Sequence, residues 1–254
     1  KNIYELYKDT NISIPKVYYN CNHFIIMEYL EGINFDPKVL GDYDSYKYLM
    51  YLIIFTNNSC LHNNCHGDLH NGNWKVNLKD KKLIVYDFGY VFKMDYIEYD
   101  IINTLISQDD KREINTKFFK YYLDKPYNSS LDKEIIMSKI HHVLDEYINV
   151  EPPKLYRYIQ ILMNFCLENN IMISTTCLNG ILLFLQLVET FNRVKILETQ
   201  ASFESYITDI LNNCKSNNMC PKLIKYCELK LEENGNRGIM AEDFQRSNGL
   251  KKFM

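Results

Sequence analysis

The chain has 254 residues, and its 46% hydrophobic and 24% charged residues are typical of a globular protein and exclude general disorder. No apolar run approaches the roughly 18 residues of a membrane-spanning helix, so we expect no transmembrane segment. The 29 basic and 32 acidic residues give a formal net charge of −3. This balance disfavours nucleic acid as a partner, because phosphate backbones bind basic surfaces.

Eight cysteines are distributed along the chain without the CxxC pairs of a zinc ribbon or finger. Buried thiols are the simpler interpretation. Because the sequence has no signal peptide, we expect an intracellular, cytoplasmic location in which the thiols stay reduced and form no disulfides.

The first part of the chain mixes helical and strand-like patterns. Apolar spacing predicts helices, and β-rich runs on either side of polar turns predict two hairpins. The predicted elements are, in chain order, the end of a helix within 1–10, strands at 14–19 and 23–30, a helix over 42–61, a polar loop at 66–73, and strands at 74–78 and 82–86.

Beyond residue 95 the strand-like alternation disappears and helical periodicity replaces it. Helices are predicted near 97–107, 113–123, 131–148, 153–170, 177–199 and 202–214. Residues from about 232 onward are polar and rich in Asn and Gly, so we expect a frayed tail there.

Three oxygen-bearing side chains have the spacing of a phosphoryl-transfer site. In the kinase template an Asp precedes an Asn by four intervening residues, and the Asp of a DFG triplet follows later. Asp68, Asn73 and Asp87 reproduce both spacings. Asp68 would accept a proton from the substrate hydroxyl or orient it. Asn73 and Asp87 would ligate magnesium through the hard oxygens that this ion prefers.

Other residues flank these three. We expect His66 to support the loop from behind and His70 to contact the transferring phosphate. The stretch Glu28-Tyr29-Leu30, closed by Gly32, is predicted to be a hinge whose backbone binds adenine. Glycines at the sharp turns of the template are expected to have positive φ, namely Gly32, Gly67, Gly72 and Gly89.

A zinc site is the alternative for this loop. His62, His66 and His70 recur every four residues with Cys65 among them, and on a helix they would share one face. Gly67 interrupts that helix, so we favour the phosphoryl-transfer interpretation.

With its motifs MEYLEG (27–32), HGDLHNGN (66–73) and DFG (87–89), the chain resembles the protein-kinase-like superfamily, and within it the UbiB family of atypical kinases, over roughly residues 1–95. The resemblance implies ATP and magnesium as cofactors and an α+β, two-lobed fold. Departures exist: UbiB proteins commonly have Ala at the position of Gly67 and Pro at those of Leu69 and Asn71.

The resemblance divides the chain into three parts. Residues 1–31 would be the remnant of a truncated N-terminal β lobe, 32–231 a mainly helical C-terminal lobe with the catalytic loop and DFG, and 232–254 a polar tail. No Val-Ala-x-Lys run is present, and the nucleotide-binding Lys is expected upstream of residue 1. We therefore expect this segment alone to bind ATP weakly and to be inactive.

The predicted function is a kinase that transfers a phosphoryl group from ATP to a hydroxyl-bearing substrate. Two alternatives stay open. A pseudokinase or nucleotide-binding scaffold would keep the fold and regulate a partner. An aminoglycoside or other small-molecule phosphotransferase would use the same HGDLH motif.

Overall fold

The computed structural model describes residues 3–106, 111–148, 155–194 and 203–233. The described residues form two compact units, one from 3–62, 71–86 and 203–233 and the other from 63–70, 87–106, 111–148 and 155–194. The helices and strands, numbered in chain order, are α1 (Ile3–Tyr7), β1 (Ile12–Ser13), β2 (Val17–Asn20), β3 (Ile25–Met27), α2 (Pro37–Leu61), β4 (Cys65–His66), β5 (Trp74–Asn77), β6 (Lys82–Val85), β7 (Val91–Phe92), α3 (Tyr96–Ile106), α4 (Lys111–Leu123), α5 (Lys133–Ile148), α6 (Leu155–Glu168), α7 (Thr175–Val194), α8 (Phe203–Ser216) and α9 (221–233).

These elements confirm the six predicted helices beyond residue 95 as α3 to α8, and they add α9. The parts of those predictions at 107, 153–154, 195–199 and 202 lie outside the described residues, as does the predicted tail from 234 onward. Residues 232 and 233, which the prediction placed in a frayed tail, are helical. The lobe boundaries at 31 and 231 stay predictions. Within the described ranges, no helix has both the length and the apolar character that crossing a membrane would require.

Both predicted hairpins are confirmed. β2 pairs antiparallel with β3, with Val17 opposite Met27, and β5 pairs antiparallel with β6, with Trp74 opposite Val85. The two-residue strand β1 adds to β6 in parallel and completes a sheet of order β1-β6-β5. Sequence patterns missed β1, β4 and β7, because alternation over two residues cannot be recognised.

Helix α2 leads into the polar loop and forms the core of the first unit. It begins earlier than predicted, at Pro37, where the Asp36 carboxylate accepts a hydrogen bond from the Lys38 N–H at 2.9 Å. Gly41 then breaks the helix with φ 72° and ψ 172°, so the predicted start near residue 42 marks a kink. Every residue from Tyr48 to Leu61 is buried, so the helix is enclosed on all sides instead of presenting a single apolar stripe.

Two other helices of the first unit, α1 and α9, hold α2 in place. The Tyr7 hydroxyl of α1 donates to the Phe55 carbonyl at 2.9 Å, and the two rings lie 5.3 Å apart. At the other end, the ammonium group of Lys222 on α9 donates to the Leu61 carbonyl. A cation is favourable there, because the last carbonyls of a helix carry partial negative charge and lack partners within the helix. The segment just before the polar loop is thereby fixed.

A buried carboxyl joins three helices of the second unit. Glu98 of α3, only 5% exposed, accepts hydrogen bonds from the Tyr122 hydroxyl of α4 at 3.1 Å and the Thr176 hydroxyl of α7 at 2.7 Å. Ser174, just before α7, donates to the same carboxyl. Its own hydroxyl accepts from the Cys177 N–H at 3.1 Å, which caps the start of α7.

Removing this carboxyl should destabilise the second unit. We expect Glu98→Ala to lower the free energy of unfolding by about 3 kcal/mol, because three hydroxyl groups lose their buried acceptor. Urea denaturation followed by circular dichroism measures the change. Glu134→Ala, which removes an exposed carboxyl of α5, is the matched control and should stay within about 0.5 kcal/mol of wild type. Equal effects of the two variants would contradict the role given to Glu98.

Candidate active site

The predicted catalytic loop is the connection from β4 to β5. His66 ends β4 and is almost completely buried, at 1% exposure. Its Nδ1 accepts a hydrogen bond from the Asp68 N–H at 3.2 Å, and its ring lies 4.9 Å from that of Phe88. Because it contacts both the loop and the DFG triplet, His66 supports the backbone of Asp68.

Asp68 and His70 lie on the open side of this loop. The side chains of both are 53% exposed, and the His70 Nε2 lies 3.7 Å from the Asp68 Oδ2. Between them, Leu69 turns inward and is 1% exposed. The loop is thus anchored by one apolar side chain, while two groups capable of exchanging protons face solvent.

The pairing of β4 with β7 brings the DFG triplet to the start of the loop. Cys65 lies opposite Phe92, and His66 opposite Val91. The Gly67 N–H continues the ladder by donating to the Tyr90 carbonyl at 2.9 Å. Extending this register by one residue sets Asp68 beside Gly89, two residues from Asp87. Asp68 follows β4 and Asp87 precedes β7, so both residues lie in the chain segments that flank the same end of this short ladder in the second unit.

The backbone of Asp87 adopts the left-handed conformation, with φ of 58°. This region is unfavourable for residues other than glycine, although Asp and Asn tolerate it best. The Asp87 Oδ1 accepts a hydrogen bond from the Gly89 N–H at 3.3 Å, and the side chain is exposed. The turn thus leaves this carboxylate exposed to solvent, with one of its oxygens in a long hydrogen bond to the Gly89 N–H.

Asn73, the other predicted metal ligand, belongs to the first unit. It is 6% exposed, and its carbonyl accepts a hydrogen bond from the Tyr86 N–H at 3.0 Å. The Tyr86 hydroxyl donates to the Gly72 carbonyl at 2.7 Å. Because Tyr86 immediately precedes Asp87 in the chain, the β5–β6 hairpin returns the backbone from one predicted metal ligand to the residue before the other.

The predicted hinge lies along the same hairpin. Ile33 and Val76 exchange two backbone hydrogen bonds of 2.9 Å, and a Cβ added to Gly32 would lie 3.0 Å from the Ile84 Cδ1. The Glu28 N–H is already used, since it donates to the Lys16 carbonyl at 2.8 Å. Within the described part of the chain, no hydrogen bond is made by the backbone of Tyr29 or Leu30. The prediction that the hinge binds adenine therefore concerns the backbone groups of these two residues.

The expectation of positive φ at the template glycines is wrong. Among the described glycines, only Gly41 has a left-handed backbone. Gly67 is required for a steric reason instead, because an added Cβ would lie 2.1 Å from the Tyr90 Cδ1. The Tyr90 hydroxyl accepts a hydrogen bond from the Asn179 Nδ2 of α7 at 2.6 Å, which holds the ring over Gly67. Sequence patterns gave no signal for this contact.

A pocket of about 200 Å³ opens beside the hinge in the first unit. Its lining includes Glu28 and Leu30 of the hinge together with Lys8 and Lys82, but none of the three predicted catalytic and metal-binding residues. The predicted catalytic and metal-binding residues therefore lie in the loop and the DFG triplet and outside this pocket.

The cysteines and histidines do not form a second centre in the described residues. No three His, Cys, Asp or Glu side chains there converge as a metal site. Helix α2 ends at Leu61, so no helix carries the histidines of the zinc alternative on one face. Burial raises the pKa of the Cys166, Cys177 and Cys227 thiols to about 12, so these thiols stay protonated and unreactive near neutral pH.

The donor groups fit magnesium. Of the predicted ligands, Asn73 in the first unit has an amide oxygen and Asp87 in the second unit a carboxylate, and Asp68 has another carboxylate. Hard oxygen donors of this kind suit magnesium and phosphate chemistry, whereas thiolates would select softer ions. Cys65, the one thiol next to the loop, is fully buried in β4.

The helices and small sheets, with the loop and the DFG triplet in this order, are those of an α+β protein with a kinase-like domain. Residues 3–117 match the family model described as the ABC1 atypical kinase-like domain, which confirms the resemblance of this segment to the UbiB family within the protein-kinase-like superfamily. No curated protein matches the chain.

The steric contact between Gly67 and Tyr90 can be tested by changing each residue alone and both together. We expect Gly67→Ala to destabilise the second unit by about 1–3 kcal/mol, because the added methyl group displaces the aromatic ring. Combining it with Tyr90→Ala should cost less than the sum of the two single changes, since the clash is then gone. Urea denaturation of the four proteins gives the coupling energy. Strict additivity would show that the ring does not block this position.

Proposed function

We propose that the natural protein containing this chain is an ATP- and magnesium-dependent phosphotransferase with a hydroxyl-bearing acceptor. The observation that carries the proposal is the left-handed backbone of Asp87 at the first position of DFG, just before the strand β7 that pairs with the start of the predicted catalytic loop. A strained residue of this kind is retained where its side-chain direction matters. The match of residues 3–117 to an atypical kinase-like domain supports the same activity.

In the proposed reaction, the acceptor hydroxyl oxygen attacks the γ-phosphorus of ATP. The bond between that phosphorus and the β–γ bridging oxygen breaks, and ADP leaves. Asp68 accepts the hydroxyl proton or orients the hydroxyl, and its exposure leaves room for an acceptor. His70, 3.7 Å from the Asp68 carboxylate, would contact the transferring phosphate.

The remaining residues bind and position. Tyr29 and Leu30 would contact adenine through their backbone groups, and Gly32 keeps the hinge against the hairpin. Asn73 and Asp87 would hold magnesium, which when bound would neutralise charge on the phosphate oxygens. His66 keeps the Asp68 backbone in place from the buried side. Positioning and electrostatics of this kind supply nearly all the rate in phosphoryl transfer.

The two carboxylates should have separable effects. We expect Asp68→Asn to lower kcat for ATP hydrolysis, with water as the acceptor, by about 100-fold or more while leaving nucleotide affinity near wild type. Asp87→Asn should instead raise the magnesium concentration needed for half-maximal rate. Asn tolerates the left-handed backbone as Asp does, so the second change removes charge without straining the turn.

Phosphate release from ATP in the natural protein measures both effects. Asp42→Asn, which neutralises an exposed carboxyl of α2 outside the site, is the control and should behave as wild type. Wild-type activity in either site variant would refute the role given to that residue. Nucleotide binding without turnover in the unmodified protein would favour the pseudokinase alternative.

The hinge can be tested through its backbone. Leu30→Pro removes one N–H without adding charge, and we expect it to raise the Kd for ATP about tenfold because a base nitrogen loses its donor. Leu30→Ala keeps the N–H and should bind within about twofold of wild type. Isothermal calorimetry on the natural protein gives both constants. Equal Kd values for the two variants would show that this N–H does not bind the nucleotide.

A further inference from the structure

The two peptide groups that flank Asn73 share one partner residue. The Tyr86 hydroxyl donates to the Gly72 carbonyl at 2.7 Å, and the Tyr86 N–H donates to the Asn73 carbonyl at 3.0 Å. The first carbonyl belongs to the peptide plane before the Asn73 Cα, and the second to the plane after it. A residue has only two soft backbone dihedrals, so holding both planes fixes the direction of the Asn73 Cα–Cβ bond.

From this geometry we propose that Tyr86 is a positioning residue for the metal site, acting through the Asn73 backbone to set the direction in which the Asn73 side chain leaves it. The inference rests on the proposed function and deepens it. Tyr86 also directly precedes Asp87, so one residue connects the two metal-binding positions. Its aromatic ring is held in turn, because the Lys75 ammonium lies 5.6 Å from the ring centroid.

The hydroxyl is the informative atom. The N–H bond to Asn73 continues the β5–β6 ladder and would form with any residue except Pro at position 86. The bond to Gly72 requires a hydroxyl at the far end of a rigid ring, which Phe lacks. Tyr86→Phe therefore frees one of the two peptide planes while it keeps the ring, the ladder and the contact with Lys75.

Mn²⁺ is the probe, because its electron paramagnetic resonance signal reports binding without turnover. In the natural protein with saturating ADP, we expect Tyr86→Phe to raise the Kd for Mn²⁺ about fivefold, the usual effect of one lost hydrogen bond. The rate of ATP hydrolysis at saturating metal should stay within about twofold of wild type, since Tyr86 does not touch the reacting atoms. Tyr46→Phe, which removes a hydroxyl bonded to Asp209 at 3.2 Å, is the matched control and should leave the Kd unchanged.

A double-mutant cycle tests whether the effect passes through Asn73. In the background of Asn73→Ala, Tyr86→Phe should cause no further rise in the Kd, because the side chain whose direction it sets is gone. An unchanged Kd in the single variant would overturn the inference. So would the same fivefold rise with and without Asn73, or a general loss of binding through unfolding. If the unmodified protein fails to bind Mn²⁺ with ADP, the metal site of the proposed function is refuted instead.

Discussion

The antiparallel pairing of β5 with β6 is the constraint on which the proposed site depends. Four residue pairs, from Trp74 opposite Val85 to Asn77 opposite Lys82, return the chain from the end of the catalytic loop to the DFG triplet. A one-residue slip would turn every side chain of β6 to the other face of the sheet. The burial of Trp74 and Val85, both at 0% exposure, makes such a slip costly, so the hydrophobic core fixes the register of the loop ends.

The proposed catalytic loop combines anchored and open positions, an arrangement that the proposed phosphoryl transfer would need. His66 and Leu69 are buried at 1% exposure each, while Asp68 and His70 face solvent. A carboxylate buried with neither hydrogen-bond donors nor a cation would be strongly disfavoured, and Asp68 avoids that cost by lying outside the core. Rigid support beneath an accessible carboxylate lets the side chain meet a charged substrate with little further ordering.

Sequence periodicity predicted the long elements and the order of the motifs, because both depend on local patterns. Periodicity predicts helix α2 and both hairpins. The spacing of the motifs, in turn, predicts Asp68, Asn73 and Asp87 as candidate site residues. Contacts between distant residues could not be found. The ring of Tyr90 over Gly67 and the hydroxyl of Tyr86 on Gly72 depend on how the strands pair, and single side chains of this kind leave no periodic signal. The left-handed backbone belongs to Asp87 and not to the template glycines. A glycine in a motif can be required by a positive φ or by a close neighbour, as Gly67 is by Tyr90, and the sequence does not distinguish the two reasons.

The two proposed metal ligands differ in how firmly they are held, and this difference has a chemical consequence. Asn73 is buried, and both of its flanking peptide groups are hydrogen-bonded to Tyr86. Asp87 is exposed, and its carboxylate is engaged by one N–H at 3.3 Å. Magnesium demands near-ideal octahedral geometry, so a site benefits from one fixed oxygen and one that can adjust. In the proposed site the neutral amide would fix where the cation binds, and the carboxylate would supply the charge and adjust to the ion.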